Sequence, residues 1–307
     1  MRLHLVDGTF ELFRAHYSKR PSHAAPAGWD AKATVGLATS LLSLLHDARE
    51  AVSHLAVAFD NPIRSFRNDL WPGYKTDAGV PPELLAQFDA AEEATRALGV
   101  TVWSMREHEA DDALATGAAR FRDAVEQVRI LTPDKDLGQC IVGRRVVQVD
   151  RMRQREIDEE ALLARRGIRP ESVPDYLALV GDDADGIPGI LGFGAKTASA
   201  LLARYVHLEQ IPKETSGWPA SIRGRALLAH ELTAEREAVL LYRRLATLVS
   251  DVPLAHSLED LRWRGIPRDR FEAWCDELGT RAMLETLERW PARWGVAGPV
   301  PSVPAPA

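Results

Sequence analysis

Three short runs rich in Leu, Val and Ile stop abruptly on an acid, and this punctuation limits the possible folds more than any other feature. Residues 3–6 run into Asp7, residues 54–59 into Asp60, and residues 127–131 into Thr132-Pro133-Asp134-Lys135-Asp136. Helical patterns at 31–49, 82–98 and 110–126 separate them, and residues 145–149 read as a further strand. Strands alternating with helices of this length predict βαβ units, that is, an α/β fold with a mostly parallel sheet flanked by helices. In open sheets of that kind ligands bind beyond the carboxyl ends of the strands. The acids therefore stand where a site would be built.

After about residue 155 the strand signal fades. Helical patterns follow at 157–166, 172–180, 195–205, 220–232, 234–247 and 267–290, with a Gly-rich loop before the third. The expected organisation is an α/β domain over residues 1–155, a helical domain over 156–290, and a Pro-, Ala- and Val-rich tail over 291–307 expected to be disordered. The chain has 307 residues, 46% of them hydrophobic, ample for a sizeable core. No stretch of about 18 uncharged apolar residues could serve as a membrane helix. The opening MRLHLVDGTF lacks the parts of a signal peptide. Cys140 and Cys275 are far apart and lack metal-ligand spacing, which suggests free thiols in a reducing compartment. A monomeric cytoplasmic protein is expected.

The net charge of −6 argues against a phosphate-bearing partner. Nine acids fall at positions suited to a single site, however, and they outnumber that charge. Each group also has an ordinary explanation. Glu109-Ala110-Asp111-Asp112 could be helix-start chemistry, because acids favour the positive end of the dipole. Asp7 and Asp60 could be turn residues or N-caps, Asp134-Lys135-Asp136 a turn, and the acids of 181–186 a solvated loop. Together these readings cease to be independent. Acids from three strand ends and a helix start would converge on one sheet edge, where unpaired carboxylates repel and some stay protonated. Divalent cations remove that conflict, and oxygen-only ligands point to Mg²⁺ or Mn²⁺ rather than Zn²⁺. Two such ions suit in-line displacement at phosphorus.

Six runs then line up with one family: LVDG (5–8), AFD (58–60), SFRNDLWPGYK (65–75), EADD (109–112), LTPDKDL (131–137) and GDDADGIPGILGFGAKTA (181–198). In these the chain resembles the 5′-nuclease, or flap endonuclease, family, over about residues 1–250. The resemblance implies a PIN-like nuclease domain and metal roles for Asp7, Asp60, Glu109, Asp111, Asp112, Asp134, Asp136, Asp182 and Asp185. It implies that Arg67 and Lys75 contact the scissile phosphate and that Tyr74 stacks on a terminal base. It also implies a helix–three-turn–helix at about 172–206, in which Gly189, Gly192, Gly194 and Lys196 grip duplex DNA and a K⁺ ion has a place. Glycines that open a helix let its N-terminal N–H groups approach a phosphate.

Two departures stand out. Thr76-Asp77-Ala78 follow Lys75 where relatives carry an Arg, and Gly186 follows Asp185 where relatives often have Asn. The resemblance is to a free-standing nuclease acting on 5′ flaps, 5′ overhangs or nicked duplex without regard to sequence. Two other readings remain open at this point. One is a related nuclease of RNA, which would not need the duplex-gripping loop. The other is a binder of branched DNA that keeps its acids without turnover. Trp263, Trp274 and Trp290, at helical spacings, read as core.

Overall fold

The structure is a computed structural model and describes residues 1–289, so Trp290 and the tail at 291–307 lie outside the described residues. Six strands form one sheet: β1 (Arg2–Asp7), β2 (His54–Asp60), β3 (Thr101–Met105), β4 (Gln127–Leu131), β5 (Val146–Asp150) and β6 (Arg155–Ile157). Their order is β3-β2-β1-β4-β5-β6, parallel except for β6 against β5. β2 reads HLAVAFD and is buried along its whole length, as a parallel strand covered on both faces must be. Leu5 lies opposite both Ala56 and Ile130. Strand order therefore reverses across β1, and the crevice between the ends of β1 and β4 is the place where open α/β sheets take ligands.

Helices α1 (Gly8–His16), α2 (Lys32–His46), α3 (Arg67–Leu70), α4 (Pro82–Leu85), α5 (Phe88–Ala97) and α6 (Ala110–Phe121) interleave with the strands. Leu12, Leu37, Leu41 and Phe59 pack one face of the sheet against α1, α2 and α5. Leu3, Leu5, Trp103 and Leu114 pack the other face against α6. The helix expected over 82–98 breaks near Gln87. That buried side chain accepts from the Thr34 N–H and hydroxyl at 3.1 and 3.2 Å and donates to the Glu83 carbonyl at 2.9 Å. A buried amide must be satisfied, and here its oxygen is paired across on α2 and its nitrogen back on α4.

The helical part comprises α7 (Glu159–Arg166), α8 (Val173–Val180), α9 (Ala195–Tyr205), α10 (Arg225–Ala234) and α11 (Arg236–Ala246). It has its own core, built on Leu177, Leu201, Trp218 and Val239. Helices α12 (Arg268–Leu278) and α13 (Arg281–Glu288) depart from the expected division. Phe271, Trp274 and Leu278 are buried in the same core as Leu41 and Phe59. The Trp263 N–H donates to the Ser53 carbonyl and its indole to the Leu98 carbonyl, both at 3.0 Å. Full burial of each such apolar side chain contributes about 1.5–3 kcal/mol, which anchors this segment on the α/β part. The sheet thus extends to Ile157, and after the helical excursion the chain returns to pack on the α/β part instead of staying in the helical domain to 290. The helix expected over 267–290 is interrupted after α12, where the Thr280 N–H donates to the Cys275 carbonyl at 2.8 Å. Cys140 and Cys275 are both free. Among the described residues no helix is long and apolar enough to cross a membrane.

Candidate active site

Carboxylates crowd the carboxyl edge of the sheet. Asp7 ends β1 and caps α1: its Oδ1 accepts from the Phe10 N–H at 2.8 Å and its Oδ2 from the Thr132 hydroxyl at 2.9 Å. Asp60 ends β2. Its Oδ1 accepts from the Ala110 N–H at 2.7 Å, and its own N–H donates to the Thr9 hydroxyl at 2.8 Å. Glu109 caps α6, and its Oε1 accepts from the Ser65 hydroxyl at 2.6 Å. Helix-start chemistry and site chemistry thus coexist, with the acids placed at positive helix ends that favour them.

A second group forms where the loop after β4 meets the loop after α8. Asp136, Asp182 and Asp185 each offer a carboxylate oxygen, all within 4.8 Å of one another. The Asp136 N–H donates to the Asp134 carboxylate at 3.1 Å. Asp182 is pinned by reciprocal backbone bonds with Ile187 at 2.7 and 2.8 Å. Asp136 Oδ1 is buried and has no partner among the described residues. Such an oxygen costs free energy unless something fills its place. A hard divalent cation fits an all-oxygen set of this kind.

The electrostatics agree. Burial, then the charges of Asp60 and Asp134, push the Asp7 carboxyl up to about 7. Burial and the neighbouring acids hold Asp111 and Asp136 well above the usual carboxylate range, and raise Asp60 and Asp185 in the same sense. Glu109 goes the other way: burial would raise it, but Lys75 and Arg67 outweigh burial and lower it. Two lysines reach into the crowd. Lys75 Nζ lies 3.0 Å from Glu109 Oε2 and 3.2 Å from Asp185 Oδ1. Lys135 Nζ lies 2.9 Å from Asp182 Oδ2. Burial would lower the Lys75 ammonium, but Glu109, Tyr74 and Asp185 keep it well above its ordinary range.

Three expected residues sit otherwise than the sequence suggests. Arg67 is fully buried and forks onto Asp112 with two bonds of 2.7 Å, while also donating to the Leu245 and Thr247 carbonyls at 2.8 and 3.0 Å. Asp112 accepts in addition from the Glu109 and Val249 N–H groups at 3.0 and 2.8 Å. With both oxygens doubly occupied it has no lone pair directed at an ion, and Arg67 has no face left for a phosphate. The pair is a strut between α6 and the segment leaving α11. Tyr74 is 4% exposed, packs in the helical core, and donates its hydroxyl to Glu109 Oε2 at 3.2 Å. No ring face is offered to a base.

The Gly-rich loop is shaped by its backbone. A Cβ at Gly189, which has a φ of +71°, would lie 2.5 Å from the Gly181 nitrogen and 2.6 Å from the Val180 carbonyl carbon, so only glycine lets the loop close on the end of α8. Ile190 and Phe193 turn into the helical core, while Gly192, Gly194 and Lys196 face solvent. Nothing lies within 4 Å of a Cβ built at Gly194, the residue that caps α9. That helix start is open to an anion. Thr9, Thr132, Ser65 and Lys135 also hold the site's acids, although the sequence marks them only weakly. Two local signals were available: Thr132 stands two residues before Asp134, and Lys135 separates two acids.

Comparison with known proteins agrees with this geometry. The family model for the 5′-3′ exonuclease N-terminal resolvase-like domain matches residues 2–167, and that for the 5′-3′ exonuclease C-terminal SAM fold matches residues 168–269. DNA polymerase I of Mycobacterium tuberculosis is 33% identical over 290 residues, covering 93% of this chain and 31% of the polymerase. The chain thus spans about a third of the length of such polymerase relatives. The 5′-3′ exonuclease of Aquifex aeolicus is 28% identical, with 94% of this chain and 95% of that protein covered. In fold the chain is similar to the bacteriophage T5 5′-exonuclease with bound zinc, at a TM-score of 0.62 and 18% identity over 93% of this chain and 99% of that one. It is also similar to the T5 flap endonuclease in complex with DNA and metal ions, at a TM-score of 0.60 and 19% identity over 94% and 100%. Two successive family models spanning residues 2–269, over a mostly parallel sheet with carboxylates at its edge, make this chain a member of the 5′-3′ exonuclease family.

Proposed function

We propose that the protein is a 5′-3′ exonuclease and flap endonuclease, which hydrolyses phosphodiester bonds at 5′ ends or flap junctions of DNA. The observation that carries this reading is the convergence of Asp136, Asp182 and Asp185, with the orphaned Asp136 Oδ1 among them, beside the sheet-edge acids. Asp7, Asp60, Glu109, Asp111 and Asp134 complete the set we assign to ion binding. Asp112 is left out because Arg67 occupies it. The chemistry supplied there by two or more bound Mg²⁺ or Mn²⁺ ions is activation of the attacking water and neutralisation of charge on the attacking and leaving oxygens.

The chain's own residues do the rest. Lys75, beside Glu109 and Asp185, is placed to meet a phosphate oxygen as charge builds on it. The duplex would rest on the start of α9, held through its phosphates by the N–H groups after Gly194 and by Lys196, with a K⁺ ion sharing the loop. Such binding is indifferent to sequence and suits a flap, overhang or nick. A monomer acting on DNA in the cytoplasm and leaving a 5′-phosphate completes the proposal, and flap or primer removal is the role it would serve.

The test is cleavage of a 5′-flap DNA labelled at either end, in Mg²⁺, Mn²⁺ or EDTA, with wild type beside Asp111→Asn. Metal-dependent cuts near the junction that vanish in the mutant are expected. Release of mononucleotides alone would confine the activity to the exonuclease mode. Tight flap binding with no cut in either metal would refute the enzyme reading.

A further inference from the structure

The segment that carries Lys75 is clipped to the Gly-rich loop by contacts that leave no slack. The Lys75 N–H donates to the Asp185 carbonyl at 3.1 Å, and the Trp71 indole N–H donates to the Gly186 carbonyl, also at 3.1 Å. Gly186 has a φ of +71°, and a Cβ there would stand 2.0 Å from the Gly73 carbonyl oxygen and 3.1 Å from its carbon. A Cβ at Gly73 would in turn stand 2.6 Å from Trp71 Nε1. Two glycines are therefore needed for the indole to reach across and for the two backbones to touch. The ring is backed edge-on by Tyr242 of α11, with centroids 5.9 Å apart, and the Asn68 amide donates to the Lys75 carbonyl at 2.9 Å.

We propose that Trp71, Gly73 and Gly186 are positioning residues for Lys75: they hold residues 73–75 on the Gly-rich loop, so that the ammonium and the Asp185 carboxylate keep one fixed separation. A lysine is a point charge on four rotatable bonds, and its reach is only as definite as its backbone. The clip supplies that definition from the same loop that bears Asp182 and Asp185. One loop thus carries two carboxylates and sets the cation beside them. The inference rests on the reading of Lys75 as a phosphate-facing group, while the clip itself can be tested without any cleavage.

The experiment compares Gly186→Ala and Trp71→Phe with wild type, and uses Gly79→Ala as the control for strain. Gly79 has a φ of +85° with nothing within 4 Å of an added Cβ, so its substitution strains the backbone without a clash. Hydrogen exchange of the peptide covering residues 71–76 is read first, in EDTA. Exchange is expected to rise roughly tenfold or more in Gly186→Ala and by a lesser factor in Trp71→Phe, and to stay at the wild-type rate in Gly79→Ala. Single-turnover cleavage at saturating flap DNA is read second. It is expected to fall by roughly 10- to 100-fold in Gly186→Ala, because small misplacements of a reacting group cost that much, with flap affinity held within about threefold. If Gly186→Ala does not fold, Trp71→Phe carries the same two readouts. Unchanged exchange in both variants overturns the clip. Raised exchange with an unchanged saturating rate overturns the positioning role. A wild type that protects these amides but cuts no DNA overturns the nuclease reading, and Lys75's role with it, while the clip stands.

Discussion

The Arg67 guanidinium grips the Asp112 carboxylate through two parallel bonds of 2.7 Å, with both side chains fully buried. Burial would raise the Asp112 carboxyl, but the guanidinium outweighs it and the group is lowered. Removing one partner of a buried pair strands the other charge, which costs about 3–5 kcal/mol. Arg67→Met and Asp112→Leu should each lose that much stability in urea unfolding. The pair Arg67→Met with Asp112→Leu should lose far less than the two single losses added, because no uncompensated charge remains. Additive losses would show that the two residues act separately.

Asp136 makes the opposite kind of prediction. Its Oδ1 has no partner among the described residues, and its neighbours Asp134, Asp182 and Asp185 are all acids. Replacing Asp136 by Asn removes repulsion when metal is absent and removes a ligand when it is present. In EDTA the melting temperature of Asp136→Asn should exceed that of wild type. With millimolar Mg²⁺ the order should invert, because an ion that binds only the folded state stabilises it by mass action. Scanning calorimetry under the two conditions decides it. A variant less stable than wild type in EDTA would make Asp136 a structural acid.

The same crowding sets a pH dependence. The Asp7 carboxyl is raised to about 7 from an ordinary 3.8, and Asp60, Asp111, Asp136 and Asp185 are raised as well. A carboxyl raised on folding binds its proton more tightly in the native state. Its stabilisation is fully present below the unfolded value and is lost as pH rises through the folded one. For Asp7 that window runs from about 4 to about 7. Buried His4, held below 6.5, acts in the reverse sense at the acid end, but does so equally with and without metal. The clean readout is therefore the gain in melting temperature from Mg²⁺ over EDTA. It should grow steadily from pH 5.5 to pH 8 and should shrink in Asp7→Asn. A gain independent of pH would mean these carboxyls do not titrate together with metal binding.

Much of this fold can be read directly from the residues, because burial on both faces forces a parallel strand to be apolar along its length. His54–Asp60 announces itself in this way, and Gln127–Leu131 does so less clearly, since it carries a buried Arg129 paired with Glu50 and Glu156. Thr101–Met105 does not: only Trp103 is fully buried there, and no acid punctuates its end. The acids at the strand ends were legible, since position in the chain fixes them to one sheet edge. The occupations of Arg67, Asp112 and Tyr74 were not. Each depends on a partner 35 to 180 residues away: Glu109 at the start of α6 for Tyr74, and the end of α11 and the segment beyond it for Arg67 and Asp112. The return of α12 and α13 to the first core was hidden for a related reason. Phe271 and Trp274 mark a buried helix face, but nothing in their spacing says which core they enter.

The exposed start of α9 leads to the last prediction. Lys196 stands in the first turn of that helix and faces solvent, next to Gly194, whose surroundings are open. If this end rests on the DNA backbone, each phosphate neutralised releases counterions, and log K falls against log salt with a slope of about −0.9 per contact for duplex. Lys196→Ala should weaken binding to duplex-bearing flap DNA in EDTA and make that slope shallower by about 0.9, equally for unrelated sequences. Binding to a single strand of the same length should change little, because a duplex-gripping loop has no purchase on it. Fluorescence anisotropy across 50–300 mM KCl would measure both. An unchanged slope would move the duplex contact elsewhere on the helical part. A slope altered only for single strands would assign Lys196 to the flap instead.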